Sequence, residues 1–160
     1  VLRLGLRGLG GVSSEDLALP VDVEVAEVFT LSVSPLDDSS TALHFSRDAQ
    51  GATSERRLRV DIRSNLRRPY QVAAGLGHPL ALESGETLPA DTLRWALEPP
   101  EQGSALINPG SPVAVDYQPI YRSDERGSPV SFVLVCRSAI PQDAKAGVYS
   151  GQMRFTITMF

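Results

Sequence analysis

At 160 residues and 42% apolar content the chain is one domain, able to bury a core without disulfide staples, and no apolar run approaches the roughly 20 residues of a membrane helix. The 15 basic and 19 acidic residues give a net charge of −4, which excludes a nucleic-acid surface as the organising feature. The single cysteine, Cys136, excludes an internal disulfide, and a start at Val1 without methionine marks either a processed end, most simply one that has lost a secretion signal, or an artificial start.

Residues 1–12 alternate, with Leu2, Leu4, Leu6, Gly8, Gly10 and Val12 on one face and Arg3 and Arg7 on the other. Its glycines make this a poor autonomous strand, because glycine loses the most entropy on ordering and brings no side chain to pack. The segment reads as a strand that needs a groove. Residues 13–19 carry a capping-box pattern from Ser13 to Asp16, too short for more than a helical turn, and read as a linker. The chain therefore divides into an N-terminal extension over 1–19 and a folded domain over 20–160.

From Pro20 a second alternation begins: Val21, Val23 and Val25, an interruption at Glu27, then Phe29, Leu31 and Val33. That run is long for one strand, which predicts a bulge or a crossing between sheets near Ala26 and Glu27. A short strand is expected over 42–45. Residues 57–63 give a clear one, with Leu58, Val60 and Ile62 inward and arginines outward. Weaker strands follow over 70–76 and 80–82. Leu93, Trp95 and Leu97 fit a strand over 91–97, although Asp91 and the Leu93–Leu97 spacing also suit a short helix. Further strands are predicted over 113–117 and 130–136, the latter apolar on both faces and so central and covered. The strongest signal is the last. Tyr149, Met153, Phe155, Ile157 and Met159 fall on one face and Ser150, Gln152, Arg154, Thr156 and Thr158 on the other. The sequence stops at Phe160 on this strand with no polar tail, so its whole length must be paired and covered by other segments. About nine or ten short strands with turn signals between them make an all-β β-sandwich, with a barrel as second choice.

Groups for chemistry are scarce. His44 alternates outward in a short strand and His78 sits in a Gly-His-Pro turn, neither with a metal-sharing neighbour. Cys136, inside an apolar strand, reads as an inert buried thiol. Asp37-Asp38 and Asp124-Glu125 lack the ligand ladder of a calcium site and read as solvated turns. The glycines at 5–11 do not form a phosphate loop, because they neither follow a strand nor open a helix. Arg56, Arg57, Arg59, Arg63, Arg67 and Arg68 form a basic stripe alternating with inward apolar residues, a solvated sheet face or, less simply, a polyanion site. No catalytic residue, metal site or cofactor is expected.

Three passages carry a resemblance. Residues 141–160, with Ala146-Gly-Val-Tyr-Ser-Gly151 before an alternating strand, resemble the closing strand of the chaperone–usher pilins, the Ig-like subunits of bacterial surface filaments. Residues 21–33 are similar to the alternating N-terminal segment of those subunits. Leu58-Arg-Val-Asp-Ile-Arg-Ser64 with Tyr70-Gln-Val72 resembles Ig-like surface domains more widely, including ones outside pili. The match is nearest to the archaic spore-coat-U-like type and the α-type, and departs from the former in having one cysteine where a disulfide is usual.

The resemblance implies an Ig-like sandwich short of one strand, filled by the N-terminal segment of a neighbouring subunit. It implies a homopolymer of identical or related subunits, a periplasmic chaperone and an outer-membrane usher, and a final place on the cell surface. It also implies an acceptor groove at Tyr149, Met153, Phe155, Ile157 and Met159. Two segments qualify as the donated strand: Leu2, Leu4, Leu6, Gly8 and Val12, favoured by placement and lack of self-sufficiency, or Val21, Val23 and Val25, closer to the family pattern. A self-contained Ig-like module that binds a glycan or protein is the alternative.

Overall fold

The computed structural model describes residues 2–4, 17–19, 22–37, 43–46 and 54–160. Among them the chain is all-β, in the order β1 (Leu2–Leu4), β2 (Leu17–Leu19), β3 (Phe29–Pro35), β4 (Ser54–Ser64), β5 (Tyr70–Leu76), β6 (Leu93–Leu97), β7 (Ser104–Ala105), β8 (Ser111–Pro112), β9 (Gln118–Arg122), β10 (Val130–Ser138) and β11 (Met153–Met159). Two antiparallel sheets hold the core. One has the order β3-β4-β10-β6-β8 and the other β11-β5-β9-β7, while β1 and β2 pair with each other. This is the expected β-sandwich.

The period-two pattern explains the layers. In β4, Leu58, Val60 and Ile62 are buried while Arg59 and Arg63 are exposed, and in β6, Leu93, Trp95 and Leu97 are buried. The alternation favours strand over helix here because a neighbour is available: β6 pairs with β10 from Leu134↔Leu97 to Ser138↔Leu93. β10 is central, flanked by β4 and β6, with Phe132, Leu134 and Cys136 inward. Opposite lies β5, which buries Tyr70, Val72 and Ala74 more completely than its weak sequence signal implied. Tyr121 stacks on Phe132 with centroids 4.8 Å apart, and Phe29 meets Tyr70 edge-on at 5.5 Å. Those two contacts align the sheets, β10 over β9 and β3 over β5. Each fully buried Val, Leu, Ile or Phe contributes about 1.5–3 kcal/mol relative to exposure.

The turn after β9 is held by Asp124, whose Oδ1 accepts the Ser128 N–H at 2.8 Å and whose Oδ2 accepts the Ser128 hydroxyl at 2.7 Å. The Ser128 amide is the main cause that holds this carboxyl below the usual carboxylate range. Tyr70 ties the turn to β5, its hydroxyl donating to the Ser128 carbonyl at 2.8 Å. Gly127 has φ +60°, and a Cβ there would stand 1.9 Å from the Arg68 carbonyl oxygen, so only glycine fits.

Several boundaries differ from the sequence reading. Residues 17–19, read as linker, form β2. The run over 21–33 is broken near Ala26 and Glu27 as expected, but by neither a bulge nor a crossing between sheets: 22–28 lies outside any ladder and β3 starts at Phe29. The segment 113–117 is not a strand but a crossing: the Val113 N–H donates to the Leu93 carbonyl in one sheet, and the Ala114 carbonyl accepts the Leu76 N–H from the other, both at 2.8 Å. Its place is taken by β8 and β9 on either side. Residues 43–46 form no ladder, although Leu43 and Phe45 are half-buried and His44 exposed, as alternation requires. Of 80–82, only Ala81 pairs, in isolated bridges to Thr87 and Ser150.

Candidate functional site, a cleft between two edge strands

Among the described residues β3 pairs only with β4 and β11 only with β5, so each is an edge strand there. The Phe29–Tyr70 contact puts both on the same flank of the sandwich. Their inward rows, Phe29, Leu31 and Val33 on one side and Met153, Phe155 and Ile157 on the other, pack against the core yet remain half-exposed. The residues one strand further in, Val60, Ile62, Tyr70 and Val72, are at most 1% exposed. That contrast marks a layer with its cover missing among the described residues.

The backbone hydrogen bonds say which groups face the gap. Gly77 N–H donates to the Gln152 carbonyl and Phe160 N–H to the Pro69 carbonyl, both at 3.0 Å. In an antiparallel ladder bonded residues alternate, so Arg154, Thr156 and Thr158 turn their N–H and C=O toward β5. Met153, Phe155, Ile157 and Met159 turn theirs outward. The same holds for β3. Leu36 N–H donates to the Arg57 carbonyl and Asn65 N–H to the Val28 carbonyl, which leaves Phe29, Leu31, Val33 and Pro35 facing out. The residues with inward apolar side chains are thus the ones with outward backbone groups, on both edges. An extended chain seated here would find hydrogen-bond partners and apolar contacts together.

The other expected acceptor residues lie at the ends of this row. Tyr149 is half-buried outside β11, its hydroxyl donating to the Lys145 carbonyl at 3.2 Å, and Met159 is 42% exposed. Among the donor candidates, Leu2 and Leu4 belong to β1, whose ladder is Leu2↔Leu19 and Leu4↔Leu17, while Leu6, Gly8, Val12 and Val21 lie outside the described residues. Val23 and Val25 are 80% and 77% exposed. The signal that sequence reading missed is Asn65. Its Oδ1 accepts the Val28 N–H at 2.7 Å and its Nδ2 donates to the Ala26 carbonyl at 2.8 Å, so it holds the root of that valine segment.

Elsewhere the polar groups have structural partners. Asp37 Oδ2 accepts the Arg57 N–H at 2.7 Å, Arg57 pairs with Glu98, and Arg137 Nε donates to Glu55 at 2.7 Å. The basic stripe is therefore partly neutralised on its own sheet face. His78 is exposed beside Pro79, and no cluster of metal-ligating side chains occurs among the described residues.

Cys136 is fully buried, and burial pushes its thiol up from an ordinary 9.0 to about 12; burial also pushes Tyr121 up to about 12 and raises Tyr70. These groups are neutral in folded and unfolded chains alike below about pH 9, and above it the unfolded chain ionises first. Stability they contribute is thus complete below pH 9 and lost as pH rises toward 12. The denaturant midpoint should fall between pH 8 and pH 11, and a thiol reagent at pH 8 should label Cys136 only in unfolding concentrations of denaturant. No protein-family model matches the sequence, and no curated protein matches it either.

Proposed function

We propose that the chain is a structural subunit of a bacterial surface filament, joined to its neighbours by donor-strand exchange. The observation that carries this reading is the uncovered flank: two edge strands side by side, each pairing inward apolar side chains with outward backbone groups. The strand order supports an immunoglobulin-like sandwich. β3-β4-β10-β6 follows the order A-B-E-D, β5 and β11 take the places of C and F, and the open flank beside β11 is the place of strand G. A strand donated by another copy would complete that sheet, and burying three aliphatic side chains in the cleft stabilises the joint by about 5–9 kcal/mol before ordering costs.

Such a joint is long-lived, because dissociation must break a whole row of backbone bonds and re-expose the cleft. Purified chain concentrated at neutral pH should therefore form ladders that withstand SDS and collapse only on boiling. A chain that remains monomeric at all concentrations, with its backbone amides at Phe155 and Ile157 protected from hydrogen exchange, closes its own flank. That result would make it a self-contained surface module instead.

A further inference from the structure

We infer that the occupant of the cleft is the segment around Val23 and Val25 of a second copy, seated antiparallel to β11 with Glu24 against Arg154; this rests on the filament reading above. Every residue over 22–28 is exposed and none is in a ladder, yet the segment is not loosely attached. Asn65 holds Ala26 and Val28 through its side chain and carries the β3–β4 pairing one step further, through its N–H to the Val28 carbonyl at 3.1 Å. The segment is thus presented in line with β3. Because Asn65 holds Ala26 and Val28 in that line, no free residues are left before Phe29 for the hairpin loop that would turn the segment into its own cleft, whereas a second copy's cleft is open to it.

Charge selects this segment over the other candidate. On the sheet that a strand beside β11 would extend, the outward side chains nearest the gap, Arg154, Thr156 and Thr158 on β11, Gln71 on β5 and Arg122 on β9, include two arginines and no acid. Arg154 makes a 3.3 Å hydrogen bond to Gln152 but no ion pair among the described residues, and Arg122 lies 5.4 Å over the Phe160 ring. A strand seated at this edge turns its alternate side chains to the same outward face. For the valine segment those are Asp22 and Glu24; for the leucine segment they are Arg3 and Arg7, which would meet like charge.

The register follows from Glu27. The described strand pairs are antiparallel, so three registers set both valines opposite inward residues of β11. Val23 opposite Met159 with Val25 opposite Ile157, or Val23 opposite Ile157 with Val25 opposite Phe155, drives Glu27 into the apolar cleft opposite Phe155 or Met153 at the cost of burying a carboxylate. The third sets Val23 opposite Phe155 and Val25 opposite Met153. It leaves Glu27 beyond the end of β11 and brings Glu24 opposite Arg154. The third is the one proposed.

The test is inhibition of ladder formation by the intact chain with synthetic peptides spanning 19–28 or 1–12. The 19–28 peptide should block assembly. Its Glu24→Arg version should need about fivefold more peptide, and should regain its potency against chain carrying Arg154→Glu. A block by the 1–12 peptide alone, or a Glu24→Arg peptide equally potent on both chains, overturns this assignment and leaves the filament reading standing. A chain that never forms ladders overturns both, and ladders that neither peptide blocks place the joint on another surface and overturn both as well.

Discussion

A chain carrying Phe155→Asp should fold and fail to assemble. Phe155 is half-exposed in the centre of the open row, so in the monomer an aspartate there keeps its contact with water. Once a second strand covers the row, the same carboxylate is buried against apolar side chains with no partner, at a cost of several kcal/mol. A loss of about 3 kcal/mol already corresponds to more than a hundredfold in affinity. Ladders should therefore disappear while the far-ultraviolet circular dichroism stays that of the parent. Ser104→Asp, exposed on β7 at the far edge of the sheet that holds β11 and opposite Arg122, is the matched control and should assemble normally. Ladders from Phe155→Asp as abundant as those of the control would mean that the apolar row is not the joint.

Trp95→Ala should have the largest effect on the fold itself. The indole is 1% exposed, and its strand is paired to central β10 through Trp95↔Cys136. Truncation to alanine leaves a cavity that a sandwich anchored by β10 cannot close, at about 3–5 kcal/mol. The thermal midpoint should fall by about 10 °C. Trp95→Phe should retain most of the stability, because the indole Nε1 is buried without a hydrogen-bond partner among the described residues and phenylalanine forfeits no bond. Equal losses for the two variants would show that the indole nitrogen is bonded after all.

The sandwich was legible wherever one face of a strand is dry. β4 and β11 alternate so regularly that their inward and outward residues follow from the sequence, whereas β6 is settled as a strand only by its pairing with β10. What the sequence hides are features decided by distant partners. Glu27 interrupts the alternation and so marks a break near Ala26, but the form of that break depends on Asn65, which is remote in sequence. Val113 and Val115 look like a strand, yet the backbone around Val113 and Ala114 is used to step from one sheet to the other. β7 and β8, two residues each, are too short to show any period at all. The cleft divides in the same way. Its apolar row on β11 could be read directly, but that β3 borders it, and that both lack an outer neighbour among the described residues, is a property of strand order and not of either segment.

The pairing of β11 with β5 sets the timetable of folding. Met153 meets Leu76 and Met159 meets Tyr70, so this ladder closes only after everything between has been synthesised. Until residues 153–159 emerge, β5 lacks its neighbour on that side and the edge of the sheet over Val72 and Ala74 is uncovered, whereas β3 and β4 can zip as soon as they appear. Such late, distant closure belongs to the slow end of single-domain folding, milliseconds to seconds. A nascent copy therefore passes through a stage in which the early strands are made but the hydrophobic layer has not sealed. Escort by a holding factor would matter most during that interval.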